Sequence, residues 1–227
     1  GDAEDRGETR VATPGFPLPL RNALAELGLA ACEDDAAAAA LGWLAAPADA
    51  PPPAAAARLA AVHLIDPGGR ALLPVHAPHA AAVAAHARRA LRAAAAFRRG
   101  PPGAGVVRAC RVAAALWNEG LFFEVHEVLE AVWKTAAGTE RQALQGVIQI
   151  AVAYHHLAHG NRRGARSLLA EGRSRLASVP TTALPALDVA GLLAATAPWE
   201  AALARRETPA AEPPRLALAA PMPRGRA

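Results

Sequence analysis

The stretch LFFEVHEVLEAVWK, residues 121–134, sets the fold class of this chain. Wound at 3.6 residues per turn, Phe122, Val125, Leu129, Val132 and Trp133 gather on one side, which predicts an amphipathic helix. With His126 at the origin of the wheel, Glu130 falls at about 40°, Phe123 at about 60°, Phe122 at about 320° and Trp133 at about 340°. His126 and Glu130 thus lie inside the apolar arc, and both are expected to be buried. Glu124, Glu127 and Lys134 fall at about 80–160°, the side expected to face solvent. A polar pair on an apolar face is costly unless something satisfies it, so His126 and Glu130 mark a candidate site.

The next segment supplies polar groups of its own. Residues 140–159 predict a helix that is apolar almost all round, the mark of a central element. Its one polar stripe is Gln145, Gln149 and His156. Thr139 and Gln142 predict a capping box at its start. A short loop makes the two helices antiparallel. Counted from Gly138, His126 lies about 18 Å along its helix and comes level with Gln149, while Glu130 comes level with Gln145. His156 lies about 9 Å beyond the level of His126, nearer Asn118 and Glu119.

The pattern repeats on both sides. A helix over 105–119 ends at Gly120, and the 140–159 helix ends at Gly160, after which Asn161 can cap a helix to about residue 178. At the offset that superimposes the two glycines, Trp117 matches Leu157, Val125 matches Ala165 and Leu129 matches Leu169. Two stacked helix–turn–helix hairpins fit this echo. The expected fold is all-α for the most part, a helical bundle of antiparallel helix–turn–helix hairpins.

Outside 105–178 the reading is coarser. Residues 1–15 are polar and expected to be disordered. Residues 16–104 form an Ala-rich helical region, with helices over 20–31, from Asp34–Asp35 to about 46, and over 79–99. A Pro-rich linker spans 46–54, and a short β-hairpin candidate lies near 60–75 around Asp66-Pro67-Gly68-Gly69. Short C-terminal helices are expected over 179–207, then a loose Pro/Arg-rich tail over 208–227.

Composition narrows the classes of function. Apolar residues make up 53 % of the chain, mostly Ala, and aromatics only 4 %, yet Trp117, Phe122, Phe123 and Trp133 cluster in the middle. The net charge of +4 comes from scattered arginines, with Lys134 the single lysine. No continuous basic face results, so nucleic acid is not the expected partner, while a protein partner stays open. Cys32 and Cys110 form no CxxC pair, which points to a reducing, cytoplasmic setting. The charged first ten residues do not read as a signal peptide, and no apolar run reaches the length of about 18 residues that a membrane span needs. Neither a Walker loop nor GxGxxG is present.

Taken together, LWNEGLFFEVHEVLEAVWK, Leu144-Gln145-Gly146 and Gly160-Asn161 resemble the DUF309 domain, an all-α family of unknown function. Its signature of His, three residues, Glu, two residues and an aromatic is carried here by His126, Glu130 and Trp133. The resemblance covers roughly residues 108–177. It implies a metal site at the His/Glu motif and no particular reaction.

Two functional readings follow. In the first, His126 and Glu130 hold a divalent metal (Zn, Mn or Fe) or a small ligand between two helices, with an open position suited to a hydrolase. Gln145, Gln149, His156, Trp133, Asn118 and Glu119 would line the site. In the second, the protein is a non-enzymatic helical-hairpin interaction protein, and Glu130 with Gln145 and His126 with Gln149 form a buried structural network. His76, His79 and His86 are expected at the surface.

Overall fold

The computed structural model describes residues 15–220. The N-terminal segment expected to be disordered lies almost wholly outside them, as does the end of the tail. The described chain is built from α1 (Leu18–Ala30), α2 (Asp35–Ala45), α3 (Pro53–Ala61), a 3-10 segment (Pro74–His79), α4 (Ala80–Arg99), α5 (Gly105–Trp117), α6 (Phe122–Trp133), α7 (Gly138–Ala158), α8 (Arg162–Ala177) and α9 (Val189–Ala204). Among the described residues there is no strand, only an isolated bridge between Leu187 and Leu218. The all-α expectation therefore holds.

Local chemistry sets the helix ends. Asp34 accepts bonds from the Ala36 and Ala37 amides and starts α2. Asn161 does the same for α8 through the Gly164 amide, 2.9 Å away. Gly120 and Gly160 take positive φ, 71° and 79°, and close α5 and α7 in the same way. In each, the glycine amide bonds back three residues, to Trp117 or Leu157, and the next amide reaches the carbonyl of Leu116 or His156. The repeat in the sequence is thus a repeat of helix-stop geometry. The capping box at Thr139 does not form: α7 starts earlier, after Ala137, without a side-chain cap.

The hairpin expected near 60–75 is absent. Residues 53–61 are helical from their prolines onward, and His63, at φ 57°, turns the chain out of α3. The Asp66-Pro67-Gly68-Gly69 turn does form, but a single bond, from the Leu73 amide to Leu64, spans it. Leu64 and Ile65 are buried under it by core packing rather than by strand pairing.

The helices pack in sequence around one continuous core, with α1, α2 and α4 against one another, α4 against α5, and α1 against α6. Trp117, Phe122, Tyr154 and Trp199 meet at its centre; Tyr154 stacks on Phe122 at 5.5 Å and takes the edges of both Trp rings. The closest helix contact is α7 on α8, where a Cβ on Gly172 would lie 2.8 Å from the Gly146 carbonyl. The tail expected to be loose is docked as far as residue 220. Trp117 Nε1 donates to Pro214 O at 2.7 Å, Asn118 exchanges two bonds with the Leu216 backbone, and Leu216 is buried.

Candidate functional site

α6 is buried on two sides, and this changes which of its polar residues are inside. Glu124, placed toward solvent by the helical wheel, is buried. Its Oε1 stands 2.5 Å from Nε2 of His86 on α4, which is buried as well. Gly28 of α1 and Ala90 of α4 leave room for this pair: a Cβ on Gly28 would sit 4.0 Å from Glu124 Cγ and 3.7 Å from Ala90 Cβ. His76 is also buried, so of the three histidines expected at the surface only His79 is even partly open.

His126 and Glu130, expected inside, are half-buried, with about a third of each side chain open to solvent. The Nδ1 of His126 lies 3.1 Å from Glu127 Oε1, and its Nε2 lies 3.5 Å from Glu130 Oε2. The other Glu130 oxygen faces Lys134 Nζ at 3.7 Å. One donor atom each from His126, Glu127 and Glu130 lies within 4.8 Å of the others. Among the described residues no other group of three or more His, Cys, Asp or Glu side chains converges this closely. Glu127, on the side expected to face solvent, is the most open of the three and still belongs to the cluster.

The remaining expected site residues lie elsewhere. Gln149 turns to α8, donating to Glu171 Oε2 at 3.3 Å and accepting from Arg175 Nε at 3.1 Å. Gln145 lines a cleft of about 540 Å³ between α7 and α8 with Arg141, Gln142 and Arg175. The bare backbones of Gly146 and Gly172 draw α7 onto α8, so the glutamine stripe faces α8 rather than α6, and the expected network with His126 and Glu130 does not form. Asn118 holds the tail, Glu119 pairs with Arg92, and His156 accepts from Asn161 Nδ2 at 3.3 Å. Trp133 lies under Arg141, whose Cζ is 3.9 Å above the ring.

The α7 residue that does approach the α6 cluster is His155, which sequence reasoning passed over for its neighbour His156. Phe123 stacks on His126 at 6.2 Å and meets His155 at 6.1 Å, so its ring neighbours both imidazoles. Arg21 of α1 lies over the same ring at 4.0 Å. Burial holds the His155 imidazole neutral, pushing its pKa down to about 4, helped by His159, His156 and Arg21 and opposed by Glu124. The edge-on contact of Phe16 with His86, 5.5 Å between centroids, brings the chain just before α1 against the buried pair.

Residues 110–168 match the family model of DUF309, a domain of unknown function. Over this segment the chain is similar to that family, and the match covers about a quarter of its length. It runs from the middle of α5 into α8, so it contains the α6 cluster, Phe123 and His155 but neither His86 nor Arg21. An uncharacterized protein of Aquifex aeolicus is 31 % identical over 65 residues, a match covering 28 % of this chain and 20 % of that protein. The alignment thus spans about a fifth of the relative's length. No solved structure matches the chain. No helix among the described residues is long and apolar enough to cross a membrane. Outside the matched segment, α1 and α4 complete the burial of α6 on the side that holds Glu124.

Proposed function

We propose that this protein binds a divalent transition ion on the open face of α6, through His126, Glu127 and Glu130, and uses it in hydrolytic chemistry. The observation that carries this reading is the convergence of three donor atoms within 4.8 Å on one half-exposed helix face. One imidazole and two carboxylates are a donor set for Zn²⁺, Mn²⁺ or Fe²⁺, and three ligands from one face leave positions open, as catalytic rather than structural sites do. An ion held there would supply Lewis acidity. Arg21, lying over the Phe123 ring that also stacks on His126, offers a cation to an anionic substrate group. The free, buried thiols Cys32 and Cys110 fit a reducing, cytoplasmic setting.

The test is the thermal stability of the full chain, purified without chelator or tag, with and without Mn²⁺. Ligand linkage gives about 2.7 kcal/mol at a hundredfold excess over Kd. The rise in melting temperature should vanish in His126→Ala and survive in His63→Ala, which alters an exposed histidine far along the chain. No rise with Mn²⁺, or a rise that His126→Ala leaves whole, would sink the reading.

A second reading is favoured by one observation: each nitrogen of His126 already faces a carboxylate, so the cluster can be satisfied without an ion. The protein is then a helical-hairpin interaction protein, and the three side chains are a surface ion-pair network. Failure of the Mn²⁺ test selects this alternative.

A further inference from the structure

We propose that His155 and His159 on α7 form a second transition-metal site, an all-imidazole pair for Zn²⁺, Ni²⁺ or Cu²⁺. The pair is separate from the α6 cluster, and its existence does not depend on that cluster binding anything.

The geometry comes first. His155 and His159 stand one helical turn apart, and their ring centroids are 4.3 Å from each other. Two imidazoles sharing one ion, each with a metal–nitrogen bond of about 2.0–2.1 Å, hold their rings roughly 4–5 Å apart. The ring separation is therefore compatible with one shared ion.

The protonation pattern comes second. His159 Nδ1 lies 2.8 Å from the carbonyl oxygen of His155. A carbonyl can only accept, so the proton sits on Nδ1 and the Nε2 lone pair is free. Metal-bound histidines are commonly oriented in this way, through a bond from the other ring nitrogen to a backbone carbonyl. No hydrogen bond to a ring nitrogen of His155 is formed by any described residue. The adjacent His156 makes a useful contrast. The Asn161 side-chain oxygen takes the Gly164 amide, which turns its Nδ2 toward His156 Nδ1. With that nitrogen accepting, the proton of His156 is on Nε2, and no lone pair is left to offer.

Access and charge come third. Gly15 lies against His159, where a Cβ would be 3.1 Å from Cδ2 and 3.3 Å from Nε2. Glycine there spares the Nε2 edge the side chain that any other residue at position 15 would bring. Nearby charge is mixed: Glu124 favours a cation beside His155, whereas Arg21 and His156 work against one. The affinity is accordingly that of a two-ligand site completed by water.

Donor chemistry separates the two sites. Imidazoles without a carboxylate suit Zn²⁺, Ni²⁺ and Cu²⁺, whereas Mn²⁺ prefers oxygen donors. Titration calorimetry of the full, untagged chain with Ni²⁺ should reveal a site weakened tenfold or more in His155→Ala and in His159→Ala. The same site should persist in His126→Ala/Glu130→Ala, and Mn²⁺ should not compete for it. With Cu²⁺, electron paramagnetic resonance should show coupling to two nitrogens, falling to one in His159→Ala. His159 is exposed, so its variant keeps the fold, which circular dichroism checks. Ni²⁺ binding that is undiminished in His159→Ala overturns the proposal, as does binding lost in His126→Ala/Glu130→Ala but kept in His155→Ala. Absence of Mn²⁺ binding alongside a Ni²⁺ site that needs His155 and His159 would sink the α6 reading and leave this one standing.

Discussion

Glu124 and His86 are the most deeply buried ionisable partners in the described chain, and they tie α6 to α4. A charged group taken out of water needs its partner, and removing one member of such a pair leaves the other stranded. Glu124→Ala should therefore destabilise the protein by roughly 3–5 kcal/mol, read from chemical denaturation. Joining it to His86→Leu should recover a large part of that loss, since an apolar pair has no such cost. A single substitution costing less than the double one would remove the pair from its structural role. His86 could have been found from the sequence: Val83, Ala87, Ala90 and Ala94 repeat at helical spacing, and His86 lies in the stripe they form. Glu124 could not, because a helical wheel of α6 alone knows nothing of α1 and α4.

At the level of elements, the hairpins were legible and their rotation was not. Gly120 and Gly160 announce two helix stops, and both take the left-handed conformation those stops require. An apolar surface almost all round marked α7 as central. Its polar stripe, however, could have faced either neighbour, and spacing along the helix axis does not choose between them. The choice is made by Gly146 and Gly172, which let α7 and α8 touch at the backbone and turn Gln145 and Gln149 toward Arg175 and Glu171. His126 and Glu130 were legible as neighbours on one helix face, but the third side chain of their cluster is Glu127, next to His126, rather than anything on α7. Gly172→Ala tests the glycine contact. Its Cβ would meet the Gly146 carbonyl at 2.8 Å and Gln149 Cβ and Ile150 Cγ1 at 2.9 Å, and none of these is the free end of a flexible chain. Overpacking of this kind should cost about 1–3 kcal/mol in a thermal or urea melt, while Gly42→Ala, with nothing within 4 Å, should not.

Across the whole molecule, the docked tail joins parts of the chain that are far apart in sequence. Residues 214–219 bond to Trp117 and Asn118 at the end of α5 and to Ala186 and Asp188 ahead of α9. The Pro/Arg-rich composition suggested a loose end because it lacks periodicity. The anchoring comes instead from one buried leucine and from backbone groups, which composition does not reveal. Leu216→Ala should lower stability by roughly 2–3 kcal/mol and change the fluorescence of Trp117, whose indole is held by the adjoining Pro214 carbonyl. The strap also sets a timetable for biosynthesis. A nascent chain leaves the ribosome from its N-terminus, so the seat for Leu216 beside α5 is made long before its occupant. Until residue 219 has cleared the exit tunnel, that apolar seat stays open to other chains and to chaperones. A copy that stops short of Leu216 would therefore carry the whole of the segment that matches the DUF309 model, with one side beside α5 left unsealed.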